Sequence, residues 1–223
     1  MRRVEGYAAA AELLRRGDPL DALHGQPALL EGIRTTFGES LTPSQVVERI
    51  VEDVRRRGDA AVIDYTSRIS GVTLAALEVS LPVVEAAVRA VEPSLLSALK
   101  LAASRIHEFH RATAIATGTS WVSAELGRRV TPLRRVGLYV PGGRFSYPSS
   151  VLMSAIPAKV AGVGEVVVAT PPSSDGSVPA LTLAACAIAG VNRVFAMGGA
   201  QAIAALACGT ETVPRVDKVC GPG

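Results

Sequence analysis

Two uncharged polar side chains stand beside glycine where a strand gives way to a helix: Tyr139 in "GLYVPGG" and Gln201 in "GGAQA". A tyrosine late in a strand, two residues before Pro141, carries its ring toward the sheet edge. There it can stack on a ligand or bond to it, or serve as a rim residue of the core. Gln201 falls in the first turn of a helix, where a glutamine either caps the helix or meets a ligand lying in a cleft. Four strand ends in this part of the chain run into "PGG", "TPP", "GGA" and "GPG". Glycine at such ends lets a ligand come close to the backbone, and the following helix N-termini offer free N–H groups to anions. The chemistry expected is binding of a phosphate-bearing or other anionic small molecule. The spacing is not G-x-G-x-x-G, so the usual dinucleotide fingerprint is absent, and glycines that merely make tight turns are the plainer alternative.

The remaining candidates are weaker. His107 and His110 in "RIHEFH" share a helical face at i, i+3, but His24 is the only other histidine and there is no C-x-x-C pair to complete a metal site. A helix surface with Phe109 pointing inward is the expected arrangement. Cys186 and Cys208 fall in alanine-rich helices and are expected to be buried and inert. Cys220, at a strand end facing the cleft, is the one cysteine placed to act as a nucleophile, although it has no local motif. No acid, base or metal set emerges.

The elements that must position these residues are legible from about residue 134. "RRVGLYV", "EVVVAT", "RVFAM" and "DKVC" read as short strands, with alanine-rich helices over about 149–161, 178–190 and 200–208. Strands and helices in strict alternation indicate βαβ units, hence an α/β fold with a parallel sheet. Right-handed crossovers put all four strand ends on one edge, where such sheets bind ligands. Pro157 is expected to kink the first of these helices or mark its last turn. Upstream the chain is mainly helical. Thr42, Pro43 and Gln45 form a capping box at the start of "TPSQVVERIVEDVRRRGD", which Gly58 ends. Asp59 opens a second helix, a short strand is expected near 77–81, and Pro82 and Pro93 open two more helices, the last reaching about Arg111. Residues 1–40 are weakly patterned, with a helix near Ala8–Arg16 and loop beyond. The divisions expected are an arm over 1–41, a mainly helical portion over 42–133 and a sheet domain over 134–223.

Composition narrows the function classes. The 223 residues carry a net charge of +3 and are 48% hydrophobic, which is globular and not disordered. Arginines come in short groups without interleaved aromatics, and Arg55–Arg57 close a helix where cations suit its dipole, so nucleic-acid binding is not expected. No apolar run approaches 18 residues, and the three cysteines are an odd count, which points to a cytoplasmic protein with no membrane association and reduced thiols.

Long stretches of the sequence resemble histidinol dehydrogenase: "PLRRVGLYVPGGRFSYPSSVLMSAIPAKVAGVGEVVVATPP", "AGVNRVFAMGGAQAIAALACGTETVPRVDKVCGPG", and upstream "VEDVRRRGDAAVIDYTSRISGV" and "SRIHEFH". The similarity runs in order over about residues 42–223. It implies an NAD-dependent, zinc-containing homodimer that oxidises L-histidinol to L-histidine through two hydride transfers, the last step of histidine biosynthesis. It also implies incomplete Rossmann-like domains, consistent with the missing fingerprint, and makes Tyr139 and Gln201 NAD contacts. The family's third NAD contact is the asparagine of "GPGN", one residue past Gly223. Its zinc ligands, catalytic Glu-His pair and substrate contacts also lie further on, so no catalytic or metal residue is carried over. The resemblance thus implies an N-terminal half, inactive alone, that needs its C-terminal half. A non-catalytic small-ligand-binding or scaffolding module and half of a split enzyme are the alternatives. "SRISGV" departs from the family, which usually has an aromatic-acidic pair in place of Ile69-Ser70.

Overall fold

The computed structural model describes residues 5–14, 27–118, 120–143 and 145–222. The chain divides into two compact units, residues 1–49 and 50–223. The first unit contains α1 (Tyr7–Leu14), α2 (Pro27–Phe37) and the start of α3 (Pro43–Arg57). The capping box forms: the Thr42 N–H donates to Gln45 Oε1 at 2.9 Å, and the Gln45 N–H donates to Thr42 Oγ1 at 3.3 Å. Helix α2 lies where loop was expected, because "PALLEGIRTTF" hides its pattern behind a glycine and two threonines of low helix propensity.

The second unit continues with α4 (Asp59–Ser70), β1 (Glu78–Val79), α5 (Leu81–Ala90) and α6 (Pro93–Thr117). The Glu92 carboxylate starts α6 by accepting the Ser94 and Leu95 N–H groups at 3.0 and 3.1 Å. The helix outruns its expected end at Arg111 because nothing in "ATAIAT" breaks it. The Thr113 and Thr117 hydroxyls fold back onto carbonyls four residues earlier, and Gly118 is the first residue that leaves helical geometry. Next comes a hairpin the sequence did not announce, β2 (Trp121–Val122) against β3 (Gly127–Arg128). Its strands are two residues long, too short for an alternating pattern, and Ser120 Oγ clips them to the backbone of Val130.

The rest is the expected βαβ series: β4 (Arg135–Tyr139), α7 (Pro148–Val160), β5 (Glu165–Thr170), α8 (Ala180–Ile188), β6 (Arg193–Ala196), α9 (Gly199–Cys208) and β7 (Lys218–Cys220). The sheet order is β1-β6-β5-β4-β7, with β4 to β7 mutually parallel and β1 an antiparallel edge. Counted along the chain, the parallel strands stand third, second, first, fourth. The chain therefore reverses direction between β4 and β7, the switch point at which open α/β sheets form a crevice. Because crossovers are right-handed, α7 and α8 share one face, packed against α6 and α5, while α9 returns over the other and meets α4. Pro157 lies in the last turn of α7, which ends three residues later at Val160.

Central strands are buried on both faces, so β5 reads as an unbroken apolar run, with Val166, Val167, Val168 and Ala169 all inaccessible. Gly137 lies mid-strand in β4, where glycine is ordinarily unfavourable. A Cβ there would lie 3.0 and 3.1 Å from the two Leu206 methyl carbons and 3.1 Å from Val216. The absent side chain is thus what allows α9 to settle onto the sheet and hold the crevice's far wall in place.

Candidate functional site

Beyond Tyr139 the chain stays paired for one more residue, the Val140 N–H donating to the Ala169 carbonyl at 2.9 Å, and then turns at Pro141-Gly142. The turns at the strand ends are packed against one another. A Cβ on Gly142 would sit 2.6 Å from Thr170 Oγ1, one on Gly198 2.6 Å from Pro171 Cγ, and one on Gly221 2.2 Å from the Tyr139 carbonyl oxygen. These three glycines make room for neighbouring chain, so the plainer reading holds for them. The openings that remain lie beside Gly199 and Gly143.

The opening beside Gly199 is a cavity of about 340 Å³ at the β4/β7 switch point, lined by Tyr139, Gly199, Ile203, Val219, Cys220 and the Gly221-Pro222 turn. One wall is aromatic and the others aliphatic, so it suits a flat ring more than a charged group. The first amide of α9 is spent: the Gly199 N–H donates to the Tyr139 hydroxyl at 3.3 Å. This bond fixes the phenol against the helix start and leaves the hydroxyl's own proton to donate elsewhere.

Gln201 lies two residues into α9 and is 1% exposed. It does not cap the helix, since its Oε1 accepts no N–H among the described residues. Its Oε1 is instead buried with no partner among the described residues. The oxygen sits over Gly199, at 2.7 Å from where a Cβ would be, and with φ +62° that position rejects any side chain on two counts. The structure therefore joins both sequence candidates through Gly199, Tyr139 at its amide and Gln201 at its Cα. A buried carbonyl oxygen left unpaired costs about 1–3 kcal/mol, and natural structures keep such a group mainly where something else comes to bond it.

Two other expectations are corrected. Phe109 does not point inward: it is 67% exposed and meets His110 edge to face at 5.2 Å. The stripe α6 buries runs instead past Ala103, which lets neighbouring helices come close. Cys208 is only half-buried, and Arg55 Nε donates to its sulfur at 3.4 Å. Cys186 is buried as expected, and burial pushes its thiol up to about 12. Cys220 is exposed in the cavity wall. Among the described residues no group of three or more His, Cys, Asp or Glu side chains could hold a metal ion, and no helix is long and apolar enough to cross a membrane.

Sequence reading missed a second cavity, of about 590 Å³, on the β5 side of β4. Ser70, Val72, Gly142, Gly143, Pro171, Pro172, Ser173 and Ser174 enclose it. Its wall is the segment "PPSSDGS", whose composition reads as plain surface loop; only the strand order reveals that it faces the turn after β4.

The sequence model of the family described as "Histidinol dehydrogenase" matches residues 36–223. A histidinol dehydrogenase from Dehalococcoides mccartyi is 46% identical over 228 residues, covering 100% of this chain and 50% of the relative. One from Burkholderia pseudomallei is 53% identical over 188 residues, covering 80% of this chain and 42% of the relative. Among solved structures, the crystal structure of histidinol dehydrogenase from Elizabethkingia anophelis superposes with a TM-score of 0.77 at 31% identity, covering 83% of this chain and 43% of that one. The chain spans about half the length of the curated relatives it matches.

Proposed function

The chain belongs to the histidinol dehydrogenase family, and from that premise we propose that it supplies the NAD-binding portion of a cytoplasmic, NAD-dependent enzyme that oxidises L-histidinol to L-histidine. In this reading residues 134–223 are the nucleotide domain, 42–133 its helical complement and 1–41 an arm. Tyr139 and Gln201 are the NAD contacts. The observation that carries it is the buried Gln201 Oε1, unpaired among the described residues, over Gly199 in the wall of the Tyr139 cavity at the switch point of a parallel sheet.

NAD, when bound, supplies the hydride acceptor. The work of this chain is to hold and orient it. The Tyr139 ring and the Ile203, Val219 and Pro222 side chains offer apolar surface that keeps water from one face of a bound ring. The Tyr139 hydroxyl, already accepting the Gly199 amide, keeps a proton to donate, and Gln201 Oε1 keeps an acceptor. Zinc is the other cofactor of the proposed enzyme. The described residues contain no group of three or more His, Cys, Asp or Glu side chains that fits it.

Homodimer formation or a C-terminal half belongs to the same proposal. Leu101, Phe109 and Ile115 on α6 and Val122 and Leu126 on the hairpin are all exposed apolar side chains that a partner would cover. The test mixes the purified 223-residue chain with NAD, zinc and histidinol, alone and with a separately made C-terminal half. We expect no NADH from the chain alone and NADH from the mixture. Turnover by the chain alone overturns the division of labour. A chain that binds NAD, stays monomeric in native mass spectrometry and never gains activity supports a non-catalytic binding module instead.

A further inference from the structure

Two buried side-chain oxygens lack a hydrogen-bond partner among the described residues, and they are held in different ways. Thr170 Oγ1 ends β5, whose backbone is tied into the sheet where Thr170 pairs with Ala196. Gln201 Oε1 rides on α9, which has no such ladder and is placed by what its side chains and its ends touch. The side chains α9 buries are mostly methyl groups, those of Ala202, Ala204 and Ala205, with Gln201 and Leu206 the larger ones. Methyl ridges are shallow and resist sliding along the sheet poorly. At the start of the helix the Gly199 N–H reaches the Tyr139 hydroxyl across 3.3 Å, a long bond.

The far end is gripped harder. The chain leaves α9 at Gly209 and turns back, the Thr210 N–H donating to the Val213 carbonyl at 2.9 Å and the Val213 N–H to Thr210 Oγ1 at 3.1 Å. That turn presents Thr210 and Glu211 to the start of α4. The Thr210 hydroxyl donates to the Asp59 carboxylate, and Glu211 Oε2 accepts the Asp59 N–H at 2.7 Å. The Glu211 charge also meets the positive end of the α4 dipole. Gly58, at φ +57°, makes way for it, since a Cβ there would fall on the Glu211 carboxylate. Arg55 Nε holds the last residue of α9 as well, donating to Cys208 Sγ at 3.4 Å. The two ends of α9 are about 14 Å apart at the usual helical rise, so a shift at one end reaches the other. From these contacts we infer that Thr210 and Glu211 are positioning residues for the Tyr139 cavity: by gripping Asp59 they set where α9 stands on the sheet, and hence where Gly199 and Gln201 meet a bound nucleotide. Neither residue lines that cavity, and both act through the helix.

The inference rests on the NAD reading above for one of its two readouts, and the other is independent of it. In amide proton–nitrogen correlation spectra of the full 223-residue chain, the Gly199 cross-peak reports its bond to Tyr139. Tyr139→Phe marks where that peak stands once the bond is gone. NAD is titrated calorimetrically into the same samples, and circular dichroism melting shows that each variant folds. Glu211→Ala should move the Gly199 peak toward its Tyr139→Phe position and weaken NAD about fivefold, the equivalent of one lost hydrogen bond. Glu211→Gln keeps an acceptor oxygen and should restore the peak and hold NAD within about twofold of the unaltered chain. Glu92→Ala removes the cap of α6, on the other face of the sheet, and should lower the melting temperature without changing either readout. Thr210→Val takes out the second bond of the grip and stands in for Glu211→Ala if that variant does not fold. A Gly199 peak that stays in place in the folded variants, or that moves equally in Glu92→Ala, overturns the inference. So does a peak that moves while NAD affinity holds, or a Glu211→Gln that restores neither readout. If the peak moves as expected but NAD binds not even the unaltered chain, the placing of α9 stands and the NAD reading falls.

Discussion

Gly199 presents its amide to Tyr139 and its Cα to Gln201, and each contact yields a separate expectation. Tyr139→Phe keeps the ring but strips the acceptor from the Gly199 N–H. We expect a loss of about 1 kcal/mol in folding free energy by urea titration, and NAD binding weakened about fivefold. Gln201→Leu replaces a buried amide, whose Oε1 is unpaired among the described residues, with a side chain of similar size that needs no partner. The expected result is a melting temperature equal to or above that of the unaltered chain, together with clearly weaker NAD binding. A Leu variant that melts well below the parent shows instead that the amide is satisfied in the fold and has no ligand to serve. The placement of both residues beside glycine at a strand end or helix start was legible in the sequence. Their pairing through Gly199 was not, because β4 and α9 are about sixty residues apart and their contact depends on strand order. The Thr170 hydroxyl gave no signal at all: a threonine ending a strand looks like any β-former until its neighbours are known.

Individual elements show how the crevice walls are held. The start of α4 is capped from the other end of the chain: the Asp59 N–H donates to Glu211 Oε2 at 2.7 Å, and the Thr210 hydroxyl bonds the Asp59 carboxylate. The "GTE" that follows α9 is thereby a clamp between α9 and α4. Glu211→Ala should cost about 1 kcal/mol by the same titration, while Glu211→Gln, which keeps an acceptor oxygen, should cost less. Gly137→Ala should cost about 1–3 kcal/mol by overpacking Leu206, and it should loosen NAD binding because α9 carries Gln201. At the α3–α4 corner the Tyr65 hydroxyl, at 2.7 Å, holds the Asp53 carboxyl below its ordinary 3.8, with help from Arg56. The folded value lies below the unfolded one, so this stabilisation is full above the ordinary carboxylate range and fades as pH falls through the lowered value. Tyr65→Phe should therefore flatten the acid side of a stability–pH curve and leave differences between about pH 6 and 8 unaltered by this group. Helix α3, with its capping box and clear stripe, was readable in advance, whereas α4 starts at Asp59 with Gly58 and not Asp59 as its N-cap. Helix α2 and the β2–β3 hairpin were not, since one has weak propensity and the other is too short for any period to register.

Across the whole molecule the alternation of strand and helix was enough to give a parallel sheet. It could not give the order of the strands, because right-handed crossovers allow the fourth strand to join either edge. Strand order decides which side chains share a cavity, since it sets Tyr139 against Cys220 and the serine loop against the Gly142 turn. The same arrangement separates the three thiols by environment: Cys186 is sealed in the core with its thiol pushed up to about 12, Cys208 is half-covered under Arg55, and Cys220 opens into the Tyr139 cavity. Thiolate, not thiol, reacts with alkylating reagents, and access limits the rest. Iodoacetamide labelling followed by peptide mass mapping thus becomes a clock for the cleft. Modification at Cys220 should slow as NAD is added, with a midpoint equal to the calorimetric dissociation constant, while the fraction labelled at Cys186 stays near zero in the folded protein. A rate at Cys220 indifferent to saturating NAD would place the nucleotide elsewhere on the chain.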